Sequence, residues 1–240
     1  MRSLILAGGV SSRMGTSKYT LPLPTASSKL TQPLLLHLIL CHHQLQLSTG
    51  SAPLSEVIIS VRDELQKAEI ERLLTSCRLP DDLHLSYAVD ELANAGPASG
   101  LLAAYHLDQH ASWLVTGCDY PLVTSAALRQ LWATSQSEHA SITCFVNDEG
   151  FCEPMLAVWS SRALQLLHQM MASAQLDSRK LGPNQVIRTL EKMPPLQCDS
   201  RMSEAKPNVF RLQPKNLLWI RNVNTPQEWT AIQPYLKVRD

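Results

Sequence analysis

Short apolar runs alternate with longer amphipathic ones along this chain, and that alternation restricts its fold more than any other feature. A short run closed by turn residues suits a strand buried on both faces. A longer run with one apolar stripe suits a crossover helix, and the two repeated make βαβ units with a mostly parallel sheet. Strands are expected at Ser3–Ala7, closed by Gly8 and Gly9, and at Glu56–Val61, Leu83–Val89, Ser112–Thr116, Ala140–Val146 and Met155–Trp159. Helices are expected at Gln32–Leu47, where Pro33 suits the first turn, and at Asp63–Cys77, Leu101–Gln109, Ser125–Ser135 and Arg162–Ala174. Neither an internal repeat nor a linker stands out. Residues 1–240 read as a single domain with irregular insertions near 25–31 and over 175–215, the latter broken by prolines at 183, 194, 195, 207 and 214.

The formal net charge is zero and basic residues form no long run, which disfavours a nucleic-acid or membrane-surface partner. The longest aliphatic run, Leu34–Leu40, is interrupted by His37 and falls short of the roughly 20 apolar residues that span a bilayer. The apolar stretch near the start is too short for a secretion signal, so a cytoplasmic location is expected. The six cysteines, Cys41, Cys77, Cys118, Cys144, Cys152 and Cys198, contain no Cys-x-x-Cys pair. They read as small buried hydrophobes in a reducing compartment, not as a zinc site or a disulfide framework. No histidine pair has metal-ligand spacing; His42 and His43, adjacent on a helix, are expected at the surface or its boundary. Trp113, Trp132 and Trp159 are expected in the core.

Four stretches carry chemistry. In Leu6-Ala7-Gly8-Gly9-Val10-Ser11-Ser12-Arg13-Met14-Gly15-Thr16-Ser17-Lys18 a strand ends in glycines that let the backbone bend and approach a ligand. Such a loop can aim consecutive N–H groups at phosphate oxygens, and Arg13 and Lys18 add cations at the same mouth. In Val115-Thr116-Gly117-Cys118-Asp119-Tyr120-Pro121 a buried strand ends in an acid at the sheet edge where α/β folds bind ligands. Asp119 can hold Mg²⁺ there beside a triphosphate, or simply cap the next helix. Val89-Asp90, followed by Gly96-Pro97-Ala98-Ser99-Gly100, offers a strand-end carboxylate for purine N–H groups or ribose hydroxyls, with Gly96 letting a helix start close by; an ordinary loop and helix start fits the spacing equally well. In Asn222-Val223-Asn224-Thr225-Pro226-Gln227-Glu228-Trp229, Thr225 suits an N-cap, Pro226 the first helical position and Glu228 a capping box. Asn222 and Asn224 alternate along what reads as a short strand, which puts both amides on one face.

In this order, and with Glu153-Pro154 ahead of a strand, these stretches resemble the MobA-like nucleotidyltransferases, most closely the molybdenum cofactor guanylyltransferases. The likeness is dense over the first half of the chain and patchy afterwards. Sugar-nucleotide and cytidylyl transferases share the N-terminal signature, and the Asn-Val-Asn-Thr-Pro segment is what favours the molybdenum cofactor branch. The resemblance implies a Rossmann-like, three-layer α/β/α fold with a mostly parallel sheet. It implies GTP as donor, molybdopterin (the molybdenum cofactor) as acceptor, Mg²⁺ as cofactor, and molybdoenzymes or cofactor-delivery proteins as further partners. Leu6, Ala7, Gly8 and Gly9 would line the base and ribose, Lys18 would meet phosphate, Gly96 and Asp90 the nucleoside, and Asp119 the metal. Gly8-Gly9, where cytidylyl relatives tend to carry Ala-Gly, points to guanine. Ser60 stands where an asparagine on the nucleotide is common, and Ser17 where an aspartate is. Arg13, Lys18 and Asp119 are then the catalytic set, and Asn222 and Asn224 the acceptor-binding pair. The alternatives are a nucleotidyltransferase for another phosphorylated acceptor, of cytidylyl or sugar-phosphate type, and a non-catalytic GTP-binding regulatory module.

Overall fold

The computed structural model describes residues 1–9, 13–25, 30–49, 55–90, 96–173, 181–195 and 205–236. Strand β1 (Arg2–Leu6) has a parallel neighbour on each side, β4 (Ser55–Val61) and β6 (Trp113–Gly117), so its apolar residues are covered on both faces. With β5 (Leu83–Val89), β7 (Ile142–Val146), β8 (Cys152–Trp159) and β9 (Val209–Leu212) the sheet has seven strands in the order β5-β4-β1-β6-β8-β7-β9. Strand β8 alone runs against the others.

Alternate residues divide between two cores. Ile5, Ile59 and Leu114 face α1 (Leu34–Thr49), α2 (Glu64–Thr75), α4 (Ser125–Glu138) and α7 (Pro226–Leu236). Leu4, Ile58 and Val115 face α3 (Pro97–Leu107), α5 (Ser161–Ser173) and α6 (Pro183–Lys192). The layers are therefore α/β/α, with a mixed, mostly parallel sheet. A ribbon of β2 (Pro22–Pro24) and β3 (Thr31–Pro33) stands beside α1.

The differences from expectation have local causes. The first long helix begins at Leu34, not Gln32, because Thr31–Pro33 pair with Pro22–Pro24. His42 and His43 are buried, not superficial. Helix α1 is apolar on nearly every side, so a side chain leaving it in either direction meets protein. The 175–215 stretch holds α6 and β9, and Asn222 to Asn224 form no strand. Trp113 and Trp159 are fully buried, while Trp132 is only partly so. Cys41, Cys118 and Cys144 are buried and Cys77 and Cys152 half-buried, all as free thiols; Cys198 lies outside the described residues, as do Val10, Ser11 and Ser12. Among the described residues no helix is long and apolar enough to cross a membrane.

Candidate active site

The carboxyl ends of β1, β4, β5 and β6 open on one edge of the sheet, where an α/β fold of this order leaves a crevice beside its first strand. There β1 passes into Ala7 and Gly8. The Ala7 N–H donates to Ser60 O at 2.9 Å, and Ala7 O accepts from Gln66 Nε2 at 2.8 Å. Gln66 Oε1 in turn accepts from the Arg62 N–H at 2.7 Å, so one buried carboxamide ties the end of β1 to the start of α2. A Cβ on Gly8 would lie 2.9 Å from Asp90 Oδ2 and 3.4 Å from Arg62 N, which leaves glycine as the residue that fits.

Asp90 follows β5, its carboxylate held by Ser60 Oγ at 2.9 Å and by the Ser99 hydroxyl. Burial holds its pKa above the ordinary carboxylate value, against the opposing pull of Ser60, Ser99 and Arg62. Ser60 is itself buried, its hydroxyl spent on Asp90. Gly96 is the N-cap of α3. Gly100 lets that helix settle, because a Cβ there would run into Ser60 Oγ and Leu6 Cδ2. Overpacking of that kind costs about 1–3 kcal/mol, more than the roughly 1 kcal/mol a glycine costs inside a helix.

On the other side of β1, Lys18 Nζ donates to Asn224 Oδ1 at 2.7 Å and lies 4.0 Å from Asp119 Oδ2. Burial pushes the Lys18 ammonium below its usual value; Asp119 opposes that and Arg13 adds to it. Burial likewise raises the Asp119 carboxyl, with Lys18 opposing. Arg13 is exposed at this mouth, close enough to act on Lys18 and Glu228. Asn224 and Asp119 both stand against the Lys18 ammonium.

The loop bearing Asp119 is fixed by Cys118 N–H to Leu6 O at 3.2 Å, by Val223 N–H to Asp119 O at 2.8 Å, and by Tyr120, whose hydroxyl donates to Glu153 Oε2 at 2.7 Å. Burial and the nearby Asp119 raise the Glu153 carboxyl, and the Tyr120 hydrogen bond partly offsets them. Glu228 caps α7 as expected, its Oε2 accepting from the N–H groups of Asn224 at 2.6 Å and Thr225 at 2.9 Å. That fixes the backbone that carries the Asn224 amide. Asn222 is exposed, and no bond ties it to these groups.

Two subsets emerge: Leu6, Ala7, Gly8, Ser60 and Asp90 at the ends of β1, β4 and β5, with Gly96 exposed at the start of α3, and Lys18, Asp119 and Asn224 on the other side of β1, with Arg13 exposed beside them. Gly9 is exposed between them. Gln66, Ser99, Tyr120 and Glu153 were not singled out as site residues from sequence. For Gln66 a signal existed, since 66, 70 and 74 form the buried stripe of α2 while Leu65 is 77% exposed. No group of three or more His, Cys, Asp or Glu stands together among the described residues. The oxygens of Asp119 and Asn224 are hard donors, which suit a small divalent cation that completes its shell with phosphate oxygens.

Residues 3–193 match the MobA-like NTP transferase domain. Over 95% of its length the chain is 25% identical to the molybdenum cofactor biosynthesis bifunctional protein of Synechocystis, of which it covers 52%. It thus spans about half of that protein. It is 25% identical to the probable molybdenum cofactor guanylyltransferase of Flavobacterium johnsoniae, over 80% of this chain and 86% of that one. Among solved structures, the molybdopterin-guanine dinucleotide biosynthesis protein A of Archaeoglobus fulgidus superposes with a TM-score of 0.63 at 17% identity, covering 98% of each chain, a likeness of fold. With the family match running over most of its length and the strand-end loops placed as that fold requires, the chain belongs to the MobA-like NTP transferases.

Proposed function

We propose that the chain transfers GMP from GTP to the terminal phosphate of molybdopterin and releases pyrophosphate, with Mg²⁺ held at Asp119. The observation that carries this reading is the meeting of Lys18, Asp119 and Asn224, from three separate parts of the chain, at the same sheet edge as Asp90. Support for the guanylyl and molybdopterin parts comes from the names of the distant relatives and from Gly8-Gly9.

An oxygen of the acceptor phosphate attacks the α-phosphorus of GTP in line, the bond from that phosphorus to the β-phosphate bridging oxygen breaks, and pyrophosphate leaves. A phosphate monoester is anionic at neutral pH, so the attack needs no general base. Asp90 accepts from the guanine N–H groups or the ribose, and the Ser60 and Ser99 hydroxyls hold it in one rotamer. Lys18 leaves Asn224 for the triphosphate, and with Arg13 neutralises charge gathering on the departing pyrophosphate. Asp119, with the Asn224 amide at hand, would hold Mg²⁺, which would supply charge neutralisation for the phosphates.

The test is pyrophosphate release with molybdopterin, Mg²⁺ and GTP, with ATP and CTP in parallel. Release that needs both GTP and molybdopterin is expected; release with CTP, or none with any nucleotide, overturns the assignment. Asp119→Ala should lower turnover by roughly 10²–10³-fold or more, with the melting temperature little changed. A well-folded variant that keeps near-normal turnover would sink the metal assignment.

A further inference from the structure

The hairpin joining β7 to β8 stands at the same sheet edge as Asp119, and the reaction above leaves it without a role. Its tip is braced by two side chains. The Asn147 carboxamide accepts from the N–H groups of Glu149 at 3.1 Å and Phe151 at 2.9 Å. Arg211 of β9 donates from Nη1 to Gly150 O at 2.6 Å and from Nη2 to Glu191 of α6 at 2.7 Å. On this tip Phe151 is 62% exposed. A large apolar ring held out on rigid backbone is a ready contact surface, because little conformational freedom remains to be lost on binding.

Immediately after it, β8 departs from β7. Cys144 pairs with Ala157 but Val146 with Cys152, so the residue at 145 faces the bulged residues 153–156. Bulges re-aim side chains next to functional sites. This one is pinned where Trp159 Nε1 donates to Pro154 O at 2.9 Å. Cys152 packs against the core under α3 and α5, so Phe151 and Glu153 on either side of it turn to the opposite face, where Tyr120 lies. There Tyr120 fixes Glu153 Oε2, and the other carboxylate oxygen accepts no hydrogen bond among the described residues. Two residues of extended backbone separate Phe151 from Glu153 by about 7 Å, the length of a bicyclic ring. Both lie on the β8 side of β6, while Gly8, Ser60 and Asp90 lie on its other side, at the ends of β1, β4 and β5.

We propose that Phe151 and Glu153 form the acceptor subsite, built for a phosphorylated planar heterocycle with adjacent N–H donors such as the aminopyrimidinone edge of a pterin. The ring stacks on Phe151, and its ring N–H and amino group donate to the free oxygen of Glu153 in a charge-assisted bond. The identity of the phosphate's destination rests on the transferase reading; the ring-binding pair does not.

The probe is 6-hydroxymethylpterin phosphate, whose own fluorescence reports stacking, titrated into the full chain. Phe151→Ala and Glu153→Gln should each weaken pterin binding about tenfold, and Phe151→Trp should restore it. GTP affinity measured by calorimetry should be the same in the two Phe151 variants as in the wild type. Failure of the wild type to bind the pterin, unchanged pterin binding in both weakening variants, or an equal loss of GTP affinity in Phe151→Ala overturns the subsite. Absence of GTP- and molybdopterin-dependent pyrophosphate release, with pterin binding intact and sensitive to these variants, overturns the transferase reading and leaves the subsite standing.

Discussion

Asp90 keeps a half-buried carboxylate partly out of water, and that has a cost which can be measured. Burial raises its folded pKa above the unfolded value of 3.8, against the pull of Ser60, Ser99 and Arg62. The ionised form therefore opposes folding at neutral pH, and the cost fades as pH falls through the folded pKa towards 3.8. Asp90→Asn should raise the melting temperature at pH 7.5, with the gain shrinking towards pH 4, while GTP affinity falls roughly 10- to 100-fold. Thermal scans across that range and a GTP titration check both halves; a lower melting temperature at neutral pH would contradict the argument. Gly8, Asp90 and Asp119 were singled out as candidates because a strand that ends in a glycine or an acid announces itself locally, and Lys18 as a cation at the mouth of the first loop. Gln66, Tyr120 and Glu153 were not, since each takes its role from a residue brought near by folding: Ala7 O for Gln66, and each other, across 33 positions, for Tyr120 and Glu153.

Among the elements, α1 departs furthest from its sequence reading. His42 sits inside, its Nε2 within 2.9 Å of Thr116 Oγ1 on β6, and burial pushes its pKa down to about 3. A base with a depressed folded pKa contributes stability above its unfolded value of 6.5 that is lost as pH falls through 6.5 towards 3. Wild-type stability should carry a His42 component falling by about 1.4 kcal/mol per pH unit within that window. His42→Asn should remove it, so denaturant titrations of the two proteins should converge on acidification; parallel pH profiles would exclude the assignment. At the other end of the chain, Glu228 serves two N–H groups at the start of α7, and Glu228→Ala should cost about 0.5–2 kcal/mol. Because the same carboxylate fixes Asn224, turnover should fall further than stability alone explains; a stability loss with unaltered kcat would separate cap from site. The capping box was readable because it spans four adjacent residues. The start of α1 was not, because it is set by the ribbon partner at Pro22–Pro24.

At the scale of the whole molecule, the patchy, proline-broken end of the sequence turns out to be structural. Val209 is buried in one core, and Trp219, Ile220, Val223, Ile232 and Leu236 in the other. A fragment ending at residue 195 should therefore lose the cooperative thermal transition followed by circular dichroism; a fragment that melts sharply would show that these residues only decorate a finished fold. Parallel layering was legible from the alternation of runs, but strand order was not, since nothing local marks β8 as the strand that turns back. That reversal has a consequence for descent. The grip on the nucleotide is built from strand ends that crossover helices hold in register, so a change there disturbs a layer. The facing side is a hairpin tip, which can lengthen, shorten or change composition with the layers behind it untouched. If the hairpin holds the acceptor as proposed, lineages that inherit this scaffold could keep one substrate while trying others, because the two sites would be built from separate pieces of chain.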